Sequence, residues 1–283
     1  MGCPLANPIR EYPPKPMRTI SDLMSLSGRT AVITGGAGHI GAAIAQALAE
    51  AGATIALADR QRDELERLAQ HIRSTTATAV ATFEVELSDE ASVRSLPARV
   101  ASQCGGLDVL VNCAAFVGTT ILDGWAVPFE QQRSAAWRAA FEVNVTAAFE
   151  LVQEALPWLK RSGKGSIINV SSLYGVVGPD WRLYEGTSMG NPAAYGASKG
   201  ALTQLTNWLA TTLAPHVRVN AMSPGGVWRD QPAEFVERYC QRTPLERMAT
   251  EEDFKGAALF LASDMSSYIT GQNIVVDGGW CAW

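Results

Sequence analysis

The chain alternates between short apolar runs and longer stretches whose apolar residues recur every three or four positions. Thr30–Thr34 (TAVIT) is β-branched and apolar and stops at glycines, which predicts a strand buried on both faces. Ile40, Ile44 and Leu48 follow at i, i+4 and i+8, the period of an amphipathic helix. Thr54–Asp59 (TIALAD) reads as a second strand, and Leu65, Leu68 and Ile72 mark a second helix. The rhythm continues through a strand at Thr78–Val85, a helix carrying Val93, Leu96 and Val100, and a strand at Leu107–Val111. A long helix then carries Trp137, Phe141, Val145, Phe149 and Val152. Strand Ser166–Val170 precedes a helix from about Ala193 to Leu213. Val217–Ala221 and Asn273–Asp277 are the last strands, with helical stretches between them.

Seven strands alternating with helices predict an α/β fold: a single doubly wound, Rossmann-type domain whose seven-stranded parallel sheet carries helices on both faces. No repeat or linker divides it. The 283 residues are about 1.9 times the ~150-residue domain prior, so excess length needs a place. Part of it is residues 1–26, which hold Pro4, Pro8, Pro13, Pro14 and Pro16 and are expected to form an extended arm before a domain over 27–283.

Composition removes several functions. Hydrophobic residues make up 47% and charged residues 18%, which suits an ample core rather than a disordered chain. Net charge is −5, and no basic block runs along the chain, so a nucleic-acid binder is not expected. The longest apolar stretch, Ala42 to Ala58, is broken by Gln46 and Glu50, short of the ~20 residues needed to span a bilayer. The start MGCPLANPIR lacks an apolar signal region, so a cytoplasmic protein is expected. Cys3, Cys104, Cys113, Cys240 and Cys281 are scattered, and the three histidines form no ligand pair. Reduced thiols and no metal site are the corresponding expectations.

Chemistry concentrates in two places. Between the first strand and helix lies Thr34-Gly35-Gly36-Ala37-Gly38-His39-Ile40-Gly41. Glycines there let backbone approach a pyrophosphate, whose charge then sits at the helix N-terminus. Asp59 ends the second strand 18 residues after Gly41. A carboxylate at that point accepts hydrogen bonds from the ribose hydroxyls of NAD and repels a 2′-phosphate. Arg60 beside it is the candidate for holding that phosphate in NADP, so NAD is the favoured cofactor and NADP the alternative. The second place is Tyr195-Gly196-Ala197-Ser198-Lys199, which sets Tyr and Lys one helical turn apart. A nearby ammonium favours the phenolate of a tyrosine whose unperturbed pKa is about 10.

With Ser171-Ser172 after SIINV, Asn144 in FEVNVTAAF and the closing GQNIVVDGG, the chain resembles the short-chain dehydrogenase/reductase family from about Gly28 to Gly279. The resemblance implies an oxidoreductase. Tyr195 would exchange a proton with the substrate oxygen, and Lys199 would bind the nicotinamide ribose and lower the Tyr pKa. Ser172 would hold the substrate oxygen, with Ser171 second, and Asn144 would support a proton relay. Gly35, Gly38, His39, Ile40 and Gly41 would cradle the pyrophosphate. Glu86, Leu87, Asn112 and Ala114 would line the cofactor, as would Pro224, Gly225 and Val227. VNCAA departs from the family's usual NNAG, Glu86 from its Asp, and Arg229 from a Thr that touches the cofactor. The family also implies a homotetramer or homodimer through the long helices.

Three long loops, about 115–130, 179–192 and 226–245, leave strand ends where open sheets bind ligands. Trp181, Arg182, Tyr184, Trp228 and Arg229 are the candidate substrate contacts, the two arginines as partners for a phosphate. Ordinary surface loops or subunit contacts are the alternative. SLYGVVGPDWRLYEGTSMGNPAAYGASK with SPGGVWRDQPAEF is also similar to oxidoreductases of flagellin modification and nonulosonic (legionaminic-type) sugar biosynthesis. That branch implies a sugar phosphate or nucleotide-linked amino sugar whose secondary alcohol or ketone exchanges a hydride with NAD(H). The competing readings are an NADPH-dependent 3-oxoacyl thioester or other ketone reductase, and a non-catalytic dinucleotide-binding sensor or scaffold.

Overall fold

The computed structural model describes residues 16–118 and 120–283. Seven strands, β1 (Thr30–Thr34), β2 (Thr54–Asp59), β3 (Val80–Glu84), β4 (Val109–Asn112), β5 (Gly165–Val170), β6 (Val217–Pro224) and β7 (Asn273–Val276), form one sheet in the order β3-β2-β1-β4-β5-β6-β7. Every pairing is parallel. The order reverses between β1 and β4, which opens a crevice beyond Thr34 and Asn112, paired in register.

Period-two alternation divides the apolar strands between two cores. Ile33, Leu57, Val111 and Ile168 face one side with α2 (His39–Glu50), α3 (Arg62–Thr75) and α9 (Lys255–Ala262). Val32, Ala58, Leu110 and Ile167 face the other with α4 (Glu90–Cys104), α6 (Ala147–Ser162) and α7 (Ala193–Leu213). Burial on both faces explains why these strands carry so few polar residues. Among the described residues, no helix is long and apolar enough to cross a membrane.

Two expectations change. The arm does not run extended to residue 26: α1 spans Ile20–Met24, capped by a reciprocal Thr19–Asp22 box, and Leu26 is fully buried. Residues 1–15 lie outside the described part. The long helix is interrupted too. Helix α5 (Ser134–Phe141) passes through a π turn at Glu142–Thr146 into α6. The wider turn rotates the face, so Ala136, Ala140, Asn144, Ala147 and Leu151 are buried while Trp137 and Phe149 are exposed.

Candidate active site

The turn after β1 is a tight backbone cradle. Gly35 has φ +67°, and a Cβ there would stand 2.8 Å from the backbone of Ala114. A Cβ on Gly41 would strike the carbonyl of Gly35, so both positions demand glycine. The first intrahelical bond of α2 runs from Ala42 N–H to the Gly38 carbonyl (2.7 Å), leaving the N–H groups of His39, Ile40 and Gly41 at the helix start without intrahelical partners. A close backbone approach beneath a helix N-terminus fits a dinucleotide pyrophosphate.

Asp59 is built into the same turn: its carboxylate accepts from Ala37 N–H and Gln61 N–H, each at 3.2 Å. Arg60 is exposed beside it. Other expected cofactor residues have partners of their own. The Glu86 carboxylate closes its own turn by accepting from the Ser88 N–H (3.0 Å) and hydroxyl (2.9 Å), and Leu87 packs against the core. The Asn112 amide is buried and donates to Asn169 Oδ1 across β4–β5 (2.8 Å), tying two strands together. Pro224 ends β6, and Gly225 N–H is held by the Val276 carbonyl (2.9 Å). Val227 bridges to Ala249, and its carbonyl accepts from Gln231 Nε2 (2.8 Å).

The acid–base set gathers at the end of β5 and the start of α7. Ser172 is the polar neighbour that pulls the Tyr195 pKa down, but burial is the larger influence and holds it above its ordinary value. This qualifies the expectation that Lys199 lowers it. Lys199 Nζ lies 5.9 Å from the Tyr195 ring centre and donates to the Val170 carbonyl (2.7 Å). Burial pushes the Lys199 ammonium down to about 8. The neighbouring serine is engaged elsewhere, since Ser171 Oγ donates to the Lys199 carbonyl (2.8 Å), away from Tyr195. Asn144, in the π turn, accepts from Phe116 N–H (2.7 Å) and donates to Ser198 Oγ (2.9 Å), which donates to the Tyr195 carbonyl (2.9 Å). It braces the turn holding Tyr195.

Against the start of α7 opens a groove of about 1040 Å³ between the 126–132 and 174–193 segments; Gly196 and Ala197 line it, and Tyr195 and Ser172 do not. Trp181 and Tyr184 line it; Trp228, Arg229 and Arg182 do not. The arginines were expected to await a phosphate, but both are paired. Arg182 grips Asp180 through two hydrogen bonds of 2.8 and 2.7 Å, and Arg229 meets Glu251 at 2.7 Å. Around Tyr184, the groove and its cover are also shaped by Tyr174, Asn191, Phe235 and Tyr239, which no sequence motif singled out. Tyr174 Oη bonds Tyr184 Oη (2.8 Å), and Asn191 Nδ2 donates to Tyr184 Oη (3.3 Å). Helix α8 (Ala233–Arg242) is clamped over this end by a run of aromatic contacts, Tyr184–Phe235–Tyr239–Trp280. Tyr239 Oη also accepts from Gly226 N–H (2.6 Å). The i, i+4 pair Phe235–Tyr239 was the available signal.

Residues 35–281 match the profile of the family described as enoyl-(acyl carrier protein) reductase, and the relatives it groups with are dehydrogenases and reductases. The chain belongs to the short-chain dehydrogenase/reductase family. This dehydrogenase/reductase is 33% identical over 260 residues to a 2,5-dichloro-2,5-cyclohexadiene-1,4-diol dehydrogenase of Sphingobium indicum, covering 90% of this chain and 97% of that one. It is 31% identical to a sorbose reductase of Schizosaccharomyces pombe, with 93% and 100% covered. A gluconate 5-dehydrogenase structure from Burkholderia cenocepacia, in complex with NADP and tartrate, superposes with a TM-score of 0.82 at 29% identity, covering 93% and 99%. Oxidation or reduction at a CH–OH centre is the family's chemistry.

Proposed function

We propose that this enzyme transfers a hydride between NAD(H) and a secondary alcohol or ketone on a carbohydrate-like or cyclic substrate. The observation that carries the reading is Lys199 one turn after Tyr195 on α7, its Nζ 5.9 Å from the Tyr195 ring centre, with Ser172 at the end of β5 and the glycine cradle on the neighbouring crevice. Gly35, Gly38, His39, Ile40, Gly41, Asp59, Pro224, Gly225 and Val227 would hold the dinucleotide. When bound, its nicotinamide supplies or accepts the hydride. Ser172 orients the substrate oxygen, and Tyr195 gives its proton to that oxygen in reduction or takes it in oxidation. Lys199 stands behind Tyr195 as the local positive charge.

Asp59 favours NAD: its carboxylate is anchored at the turn by Ala37 and Gln61, where a 2′-phosphate would meet like charge. The NADP bound to the Burkholderia relative and exposed Arg60 keep an NADPH-dependent ketone or acyl-thioester reductase as the second reading. Sorbose and diol relatives support a polyol or ring substrate. The phosphorylated or nucleotide-linked amino sugar expected from the narrower resemblance has lost its cations, since Arg182 and Arg229 are paired. We also assign self-association to the long helices, which expose Trp137, Phe149 and Trp208; a monomer by light scattering would overturn that.

The test is a panel of polyols, cyclic alcohols and ketoses with NAD(H) and NADP(H), followed at the nicotinamide absorbance. Turnover with NAD(H) on alcohols or ketoses is expected. Activity confined to NADPH and acyl thioesters would contradict it.

A further inference from the structure

Resting on the oxidoreductase reading, the geometry points to a substrate that is uncharged and ring-bearing, held by the groove that the 179–192 insertion adds along the start of α7. The groove wall takes in chain neighbours of the acid–base pair, Tyr174 and Gly175 after Ser172 and Gly196 and Ala197 after Tyr195. Among the described residues lining it there is no Asp, Glu, Lys, Arg or His. The cations nearest to the insertion are already engaged. Asp180 holds Arg182, with Arg242 Nε at 3.7 Å, and the Arg242 guanidinium lies over Trp280 at 4.5 Å. Arg238 donates to the carbonyls of Arg182 and Glu185. Just outside the opposite wall, Arg133 is paired with Asp123 at 2.8 Å.

A phosphate or carboxylate entering this groove would shed water and find no cation, a cost of several kcal/mol. What the groove offers instead is aromatic surface and neutral hydrogen-bonding groups. Trp181 is 57% exposed and Phe129 79% exposed although both line it. Large apolar rings left open at a pocket wall are suited to stacking against a ring. Gln132, Thr187, Ser188 and Asn191 supply amides and hydroxyls between them, partners for substrate hydroxyls that carry no charge. Its volume of about 1040 Å³ is at the upper end of the usual small-ligand range of roughly 300–1,000 Å³, which suits one or two rings.

The test separates binding from turnover. A methyl hexopyranoside and its 6-phosphate, and 2-decalol with its phosphate ester, are titrated calorimetrically into the NAD-loaded protein. The neutral member of each pair should bind roughly ten-fold more tightly or better. Trp181→Ala should weaken the neutral ligands several-fold with NAD affinity unchanged, and Ser188→Lys should shift preference toward the phosphates. Tighter binding of the phosphates to the wild type would overturn the inference, as would neutral binding indifferent to Trp181→Ala. Absence of hydride transfer with the neutral alcohols despite their binding would instead refute the oxidoreductase reading.

Discussion

Arg229 Nη1 stands 2.7 Å from Glu251 Oε1, and the same oxygen lies 3.6 Å from Nδ1 of His39, the first residue of α2. Glu251 thus stations a loop arginine at the helix N-terminus that suits a diphosphate. Glu251→Gln removes the competing carboxylate from that N-terminus and should tighten dinucleotide binding about two- to five-fold, the scale of a partly exposed ion pair. Arg229→Ala should weaken it. Nicotinamide fluorescence titration measures both; equal affinities in all three proteins would remove Arg229 from the cofactor site.

Tyr239 connects α8 to the loop after β6 through its bond from Gly226 N–H (2.6 Å). Tyr239→Phe keeps the aromatic packing but strands that N–H, at a cost of about 1–3 kcal/mol. A lowered denaturation midpoint and a raised KM at nearly constant kcat are expected. A change in kcat alone would place Tyr239 in the chemistry instead.

Lys199 carries a built-in pH dependence. Its folded pKa of about 8 lies below the ordinary 10.5 because burial disfavours the ammonium. The folded protein therefore bears the full cost of the charge below about 8 and sheds it as pH rises toward the unfolded value. Lys199→Met removes the group, so its stability advantage over the wild type should be largest on the low-pH side of this window and shrink across it. Denaturant midpoints measured through the window check the sign; an advantage that grew with pH would contradict it.

The parts of the fold governed by local pattern were legible in the sequence. TAVIT is β-branched at four of its five positions and ends on glycines, and it forms β1, buried throughout, over the same five residues; α7 begins after Pro192 and runs Ala193–Leu213 as its pattern suggests. Features set by non-uniform rotation or distant pairing were hidden. The π turn that turns Asn144 inward breaks the 3.6-residue period on which helix reading relies. Asn112 is diverted to Asn169 by strand register 57 residues away. Arg182 looked available for an anion because only the folded turn at 181–183 brings the Asp180 carboxylate back onto its guanidinium. The helix at Ile20–Met24 was masked by the prolines before it, although Thr19 and Asp22 spell a capping box.

Tyr195→Phe tests the central claim most directly, because it removes one hydroxyl from the pair with Ser172 and leaves the packing of α7 in place. NAD-linked turnover is expected to fall by about 10²–10⁴-fold, the worth of a positioned acid–base group, while NADH affinity by fluorescence titration stays within two-fold of wild type, roughly 0.4 kcal/mol. Undiminished turnover in that variant would contradict the assigned chemistry.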